Sequence, residues 1–259
     1  MLKRSAFTIF KSVVIALFLR EVQTRFGSRR LGYFWALFDA MFLVLIFAGL
    51  KSVLSKHSMH GIDYPVFISV SFLAFFLWKK IVSSSIGAFS ANSALFAYKQ
   101  VKPFDTIFTR VLLEIFVSIM ATLVFIAIGL YFQFNLHVQN FNMLILAILW
   151  LILFGFSIGL MSAVFSHYYE TFGKMVKIIL TPLLFISAIM YTVDSLPPIA
   201  REIILYNPLV HFMEMIHGYY FITLDTRYVD YEYIFYWTII PLYIGLYFYV
   251  KGERGILST

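Results

Sequence analysis

Three side chains able to bind a metal recur at three-residue steps near the C-terminal third of the chain: His211, Glu214 and His217. Zinc takes such a set when the ligands converge, but successive 300° rotations spread these over about a third of a helix circumference. No HExxH pattern accompanies them, so they read as ordinary polar-face residues and no metal site is expected. The chain has no cysteine, which removes disulfides, thiolate zinc ligands and thiol catalysis. No GxxxxGK[ST] loop is present. Gly155-Phe-Ser-Ile-Gly159 is followed by no lysine and reads as a close helix contact, so any nucleotide cofactor (ATP with magnesium) would be bound by another chain. No catalytic constellation emerges, and an enzyme is not expected.

The other chemistry-bearing residues are charges inside apolar stretches. Tyr64 to Leu77 spans only 14 residues, so a crossing there draws Trp78, Lys79 and Lys80 into the helix. A lysine at mid-bilayer costs about 2.5–3.5 kcal/mol, and such cations usually face a partner or water. Lys80 lies roughly 24 Å from Tyr64 at a rise of ~1.5 Å per residue, near an interface where it can snorkel. Snorkelling and a water-filled path attractive to anions both remain open for Lys79 and Lys80, as does a misplaced span. Asp39 and Glu114 also fall within spans. Glu114 has Arg110 one turn away, which suggests a local pair, whereas Asp39 has no local partner.

These residues have to be positioned by a membrane protein. Hydrophobic types make up 61% of the 259 residues, charged types only 13%, and mean hydropathy is +0.87, far from soluble norms. A crossing needs about 20 apolar residues because lipid offers the backbone no partners. Six stretches qualify: Tyr33–Leu54, Tyr64–Ile86, Ile107–Phe132, Met143–Phe165, Gly173–Tyr191 and Tyr233–Val250. The expected fold is an all-α integral membrane protein of six spans. Residues 1–30 form an interface helix and linker, and residues 31–259 form one transmembrane domain.

Sixteen of the 20 basic residues lie on one side of these spans: in the N-terminal segment, the second and fourth connections, and the tail. The opposite side keeps Lys51, Lys56, Arg201 and Arg227 with seven acids. The positive-inside rule makes both termini cytoplasmic, and the net charge of +7 then needs no nucleic-acid partner. Phe7, Phe10, Val14 and Leu17 recur at helical spacing between basic ends, giving an amphipathic helix in the inner interface.

The outer connection, residues 192–232, is more than a loop. Pro197 and Pro198 precede one short apolar run and Asn207-Pro208 a second, each too short to cross. Proline suits a first helical turn, where its missing N–H had no partner. Two re-entrant helices forming an outer gate are expected. Of the chain's 17 tyrosines, Tyr191, Tyr206, Tyr219 and Tyr220 cluster there, either as an aromatic belt or as flat surfaces along which a sugar slides.

The run Ala16-Leu-Phe-Leu-Arg-Glu-Val-Gln-Thr-Arg-Phe-Gly-Ser-Arg-Arg-Leu-Gly-Tyr-Phe-Trp35 resembles the N-terminal motif of ABC-2 type export permeases, closest to their capsular polysaccharide branch. Val101-Lys-Pro-Phe-Asp-Thr-Ile107, Leu112-Leu-Glu114 and Asn207-Pro-Leu-Val-His211 are similar to the same branch, and the likeness covers essentially the whole chain. One departure is Ala40 after Asp39, where the family usually has proline.

The resemblance implies the type V exporter fold, a homodimer, and two copies of a separate ATPase. Arg20, Glu21, Arg25 and Arg29 match the N-terminal motif. Phe96, Tyr98, Lys99, Lys102 and Asp105 fall in the implied coupling helix, and Tyr169, Glu170 and Phe172 in the connection after the fourth span. The implied substrate is a lipid-linked acidic capsular polysaccharide crossing a bacterial inner membrane toward periplasmic and outer-membrane export proteins. Lys79, Lys80 and Arg201 are the candidates for attracting it. O-antigen or teichoic acid is the nearer alternative cargo; a secondary transporter or a membrane-embedded transferase would need repeats or an acid–base set that the chain does not show.

Overall fold

The computed structural model describes residues 6–26 and 62–257, and these are helical without a sheet. In chain order they form α1 (Ala6–Phe26), α2 (Tyr64–Ile86), a 3₁₀ helix (Ser90–Ala97), α3 (Pro103–Tyr131), α4 (Phe141–Tyr168), α5 (Glu170–Ile179), α6 (Pro198–Ile204), α7 (Pro208–Tyr220) and α8 (Tyr231–Leu257). The expected first span, Tyr33–Leu54, lies outside the described residues, as do Asp39 and Arg29.

Among the described residues four helices are long and apolar enough to cross a membrane: α2, α3, α4 and α8. They match the second, third, fourth and sixth expected stretches, with ends displaced by up to seven residues. The start of α3 moves back to Pro103 because the Asp105 carboxylate accepts the Lys102 backbone N–H at 2.9 Å, capping the helix a turn early. α2 is two-thirds buried while α3 and α8 are little more than a quarter buried, so α2 sits inside and the other two present apolar surface outward.

α4 is the organising element. Gly155 and Gly159 let α2 approach: a Cβ on Gly155 would meet Ile81 Cγ2 at 3.2 Å, and one on Gly159 would meet Ser85 Oγ at 2.8 Å. This is the close contact that their spacing predicts. α8 packs against another side of α4, where a Cβ on Gly245 would come within 2.9 Å of the Met161 backbone nitrogen. Trp150 Nε1 donates to Thr238 Oγ1 at 3.0 Å across the same pair. Stacked rings of Trp78, Phe154 and Phe212 then tie α2, α4 and α7 together, at centroid spacings of 5.8 and 5.0 Å.

The fifth expected span, Gly173–Tyr191, is not one continuous helix. α5 ends at Ile179 after 10 residues, a single 3₁₀ turn covers Pro182–Leu184, and the chain then runs irregularly. Pro182 lacks the N–H that would bond to Ile178, and its ring would clash with that carbonyl. Beyond it Ala188 is held at φ 55° while fully buried, a left-handed conformation that costs an alanine on the order of 1 kcal/mol.

Two short helices occupy the connection before α8, where two were expected. Pro198 opens α6 with Pro197 as its cap, and Pro208 opens α7 with the Asn207 side chain accepting the Leu209 N–H at 3.0 Å. α7 is buried around nearly its whole circumference, from Leu209 through Gly218.

Candidate functional site

Two polar clusters occupy opposite ends of α2. At its C-terminal end α1 lies across α3, with Phe10 on Phe108 and Phe18 on Phe116 at 5.6 and 5.9 Å. Val13, Val14 and Leu17 are buried in that contact, whereas Phe7 points away and is 74% exposed. Of the expected apolar face, Phe10, Val14 and Leu17 are packed and only Phe7, in the first turn, is left outside the contact.

Charge fastens the contact. Arg25 Nη1 lies 2.7 Å from Glu114 Oε1, and Glu114 is only 3% exposed. Arg110 Nε lies 3.3 Å from Glu21 Oε1, and its Nη1 donates to the Ser84 carbonyl at 2.6 Å. Arg20 donates to the Asn92 amide oxygen, and the Asn92 amide in turn donates to Ala88 O at 2.8 Å. The expected local pair of Arg110 with Glu114 is thus replaced by two pairs crossing between helices. Asn92, Ser84 and Lys177 were not singled out from sequence. Asn92 and Ser84 act through chain-distant partners that spacing does not reveal.

α1, α2, α3 and α5 enclose an open cavity of about 470 Å³ beside this latch, lined by Arg25, Arg110, Lys80, Lys177, Glu21 and Glu114 with Thr24, Ser83, Ser84 and Leu113. A second groove of about 300 Å³ runs between α1 and the segment around the 3₁₀ helix, from Ser12 and Arg20 to Leu95 and Val101.

The remaining residues matched to ATPase coupling divide by exposure. Phe96 is buried with Phe89, Ile107 and Tyr249, and Asp105 is buried as the α3 cap. Tyr98 and Lys99 are exposed, and Lys102 lies 3.9 Å from Glu253. Phe172 packs on Phe165 at 5.5 Å, and Tyr169 is exposed. Glu170 is exposed, and a 2.8 Å bond from Lys174 holds its carboxyl below the usual carboxylate range.

Lys79 and Lys80 part company. Lys79 lies 5.9 Å from the Phe76 ring centroid, while Lys80 lines the large cavity.

At the other end, Asp194 is the hub of a clasp. Its carboxylate lies 2.9 Å from Arg227 Nη2, accepts the Tyr228 hydroxyl at 2.9 Å and is 3.9 Å from Arg201. The bond to Asp194 pushes the Tyr228 phenol up. Arg201 also donates to the Asp194 and Leu196 carbonyls, and both guanidiniums flank the Tyr228 ring at 5.0 and 5.1 Å. Arg201 therefore works as a tether of the connection between α5 and α7.

The four tyrosines do not form one surface. Tyr191 donates to Phe185 O, Tyr206 is exposed, and Tyr220 is buried. Tyr219 shares a 2.8 Å hydroxyl contact with Tyr231, and burial together with that bond raises its pKa to about 12.

His211, Glu214 and His217 are buried rather than surface polar residues. His211 Nε2 donates to Leu205 O at 2.8 Å and its Nδ1 accepts the Asp230 N–H at 3.0 Å, which uses both nitrogens. Glu214 accepts the Val193 N–H, and His217 Nε2 is hydrogen-bonded to Ser71 Oγ of α2 at 2.7 Å. Among the described residues no group of three or more metal-ligating side chains converges.

The sequence profile of the ABC-2 type transporter matches residues 12–221. The chain is 37% identical over 260 residues, 99% of each protein, to the polysialic acid transport protein KpsM of Escherichia coli. It is 28% identical over 249 residues to the capsule polysaccharide export inner-membrane protein CtrC of Neisseria meningitidis serogroup A, covering 96% of this chain and 94% of the relative. A third relative, the capsule polysaccharide export inner-membrane protein BexB of Haemophilus influenzae, is 28% identical over 209 residues, 80% of this chain and 79% of its own. With apolar crossing helices, a latched N-terminal helix and a match over most of its length, this chain belongs to the ABC-2 type transporter family.

Proposed function

We propose that the chain is the membrane subunit of an ATP-driven exporter that carries a lipid-linked, acidic capsular polysaccharide across a bacterial inner membrane. The relatives named for polysialic acid transport and for capsule polysaccharide export, matched nearly end to end, support the cargo class. In this reading six spans cross with both termini in the cytoplasm, two copies of the chain form the path, and two copies of an ATPase bind ATP and magnesium below it. Periplasmic and outer-membrane proteins receive the polymer.

The observation that carries the coupling part is the latch. Arg20, Glu21 and Arg25 of α1 reach Asn92, Arg110 and Glu114, so α1, the 3₁₀ segment and α3 are fastened together. An ATPase that grips the exposed part of this assembly, around Tyr98 and Lys99, moves a crossing helix along with it. Lys79 contacts the polyanion weakly and repeatedly, as a processive path requires, while Pro197, Pro198, Asn207 and Pro208 shape the outer gate.

The test is to co-express the chain with the ATPase of its operon, then measure complex mass, ATP hydrolysis and surface polysaccharide. Tyr98→Ala with Lys99→Ala is expected to weaken copurification of the ATPase. Lys79→Ala is expected to leave hydrolysis intact while polymer accumulates inside. A chain that copurifies with no ATPase and still places polymer outside without ATP would refute the assignment.

A further inference from the structure

The last turns of α8 run on past its apolar stretch. That stretch stops at Val250, yet the helix continues through Lys251-Gly-Glu-Arg-Gly255 to Leu257. Gly252 and Gly255 ought to weaken it there, since glycine is the poorest helix former after proline. Packing explains why it persists. Ile256 is fully buried in one cluster with Tyr249, with Phe89 and Phe96 at the cap and within the 3₁₀ helix, and with Ile107 of α3. The Phe104 N–H donates to the Tyr249 hydroxyl at 3.4 Å, and that hydroxyl donates to Glu253 Oε1 at 3.2 Å, one turn along.

The same turns also meet the corner between α4 and α5. Tyr249, Gly252 and Ile256 recur at i, i+3 and i+7, so one face of α8 serves both contacts. A Cβ on Gly252 would collide with the hydroxyl of Tyr168, the last residue of α4, and that hydroxyl donates to the Gly252 carbonyl at 3.4 Å. Phe248 packs on Phe165 of α4 at 5.2 Å, and Phe165 on Phe172 of α5 at 5.5 Å. Phe89 meets His167 of α4 edge-on at 6.2 Å, which closes the ring of contacts.

We propose that the last two turns of α8 are a positioning wedge. They hold the 3₁₀ segment and the α4–α5 corner at a fixed spacing, so a push on the first displaces the second. Close-packed side chains pass such a displacement on because they compress little. The latch carries the push into α1 and α3; the wedge gives it a second route, into α5 and the interrupted fifth stretch. The inference rests on the export reading only for the source of the push, an ATPase gripping around Tyr98 and Lys99.

The test begins with the purified full chain, which has no cysteine of its own. Spin labels on Ala94→Cys and Thr171→Cys, both at exposed positions, report the spacing between the two segments by double electron–electron resonance. Labelled chain is diluted into unlabelled chain so that one protomer's pair is read. The wild type is expected to give one narrow distance. Ile256→Ala and Gly252→Ala should each broaden it, and Ile256→Val, which keeps the branched side chain, should restore it. Gly252→Ala guards against misfolding, because alanine favours the helix and the atom it meets is the tip of a half-exposed ring. Co-expressed with the ATPase, both alanine variants should keep hydrolysing ATP while surface polymer is lost; a merely structural role would lower thermal stability and hydrolysis together. Distances as narrow as the wild type's in both alanine variants would overturn the wedge. Broadened distances with polymer exported per ATP unchanged would overturn the second route. The distance measurement uses no ATPase, so its failure strikes the wedge alone, whereas a wild type without ATP-driven export strikes the export reading.

Discussion

Replacing Arg25 with methionine would leave Glu114, 3% exposed, without the cation 2.7 Å from it. Stripping one partner from a fully buried pair costs roughly 3–5 kcal/mol, most of it the penalty of a charge left unpaired. Here the arginine is 32% exposed, so water screens part of the interaction and the expected loss falls to about 2 kcal/mol. That corresponds to roughly a thirtyfold shift in the docking equilibrium of α1 on α3. Glu114→Gln should cost less, because an amide tolerates burial better than a lone carboxylate. The double variant should be less impaired than the sum of the two. Docking can be read by cross-linking Phe10→Cys to Phe108→Cys with a short bifunctional maleimide, since the two side chains meet across the contact and the chain has no cysteine of its own. Additive effects, with a coupling energy below about 0.5 kcal/mol, would refute the claim that this pair fastens α1.

Other outcomes follow from particular contacts. Gly245→Ala should cost about 1–3 kcal/mol in thermal stability, since its Cβ would press to within 2.9 Å of a backbone nitrogen that cannot yield. Asn207→Ala should destabilise by about 1–2 kcal/mol and raise hydrogen exchange at the start of α7, because the side chain caps Leu209 and also donates to Ile186 O and Ser187 Oγ. Tyr219, with its pKa raised to about 12, favours the folded state most fully below the ordinary phenol value of about 10 and loses that contribution as pH rises between the two. Tyr219→Phe should abolish this alkaline step in a pH titration of stability; an unchanged step would place its origin elsewhere.

What spacing could reveal was local. Runs of about 20 apolar residues located α2, α3, α4 and α8, and Asn207-Pro208 announced the start of α7 because cap chemistry is written in adjacent residues. Gly155 and Gly159 showed the face of α4 that admits α2. What escaped depends on partners far along the chain. Glu114 looked satisfied by Arg110 one turn away, yet its cation comes from 89 residues upstream. His211, Glu214 and His217 looked like a polar face because nothing in the pattern reveals that Leu205, Asp230, Val193 and Ser71 supply buried partners. The fifth stretch has the composition of a span, and composition does not weigh Pro182, which ends the hydrogen-bonded ladder. Helical spacing also shows the face of α1 that carries Phe10, Val14 and Leu17, but not that it packs on α3 rather than on lipid, because that partner lies about 100 residues along the chain.

The latch and the length of α3 together set a mechanical scale. With 29 residues, α3 is roughly 43 Å long at ~1.5 Å per residue, and α1 grips it near its first turns through Glu21 and Arg25. A rigid arm of that length converts a base tilt of about 5° into a tip displacement of roughly 4 Å, close to the ~4.8 Å distance between paired strands. The tip is not idle. Just beyond it the Asn135 N–H bonds to Asp63 at the head of α2, and the Gln139 and Asn140 N–H groups bond to the Tyr220 and Tyr219 carbonyls at the end of α7. Those last two bonds are spaced like rungs, so a swing of the arm would pull on them in shear, both loaded at once rather than peeled one after the other. α7 would then shift as a unit or hold until both bonds part, giving the far side of the bundle a threshold response to a graded push at the near side.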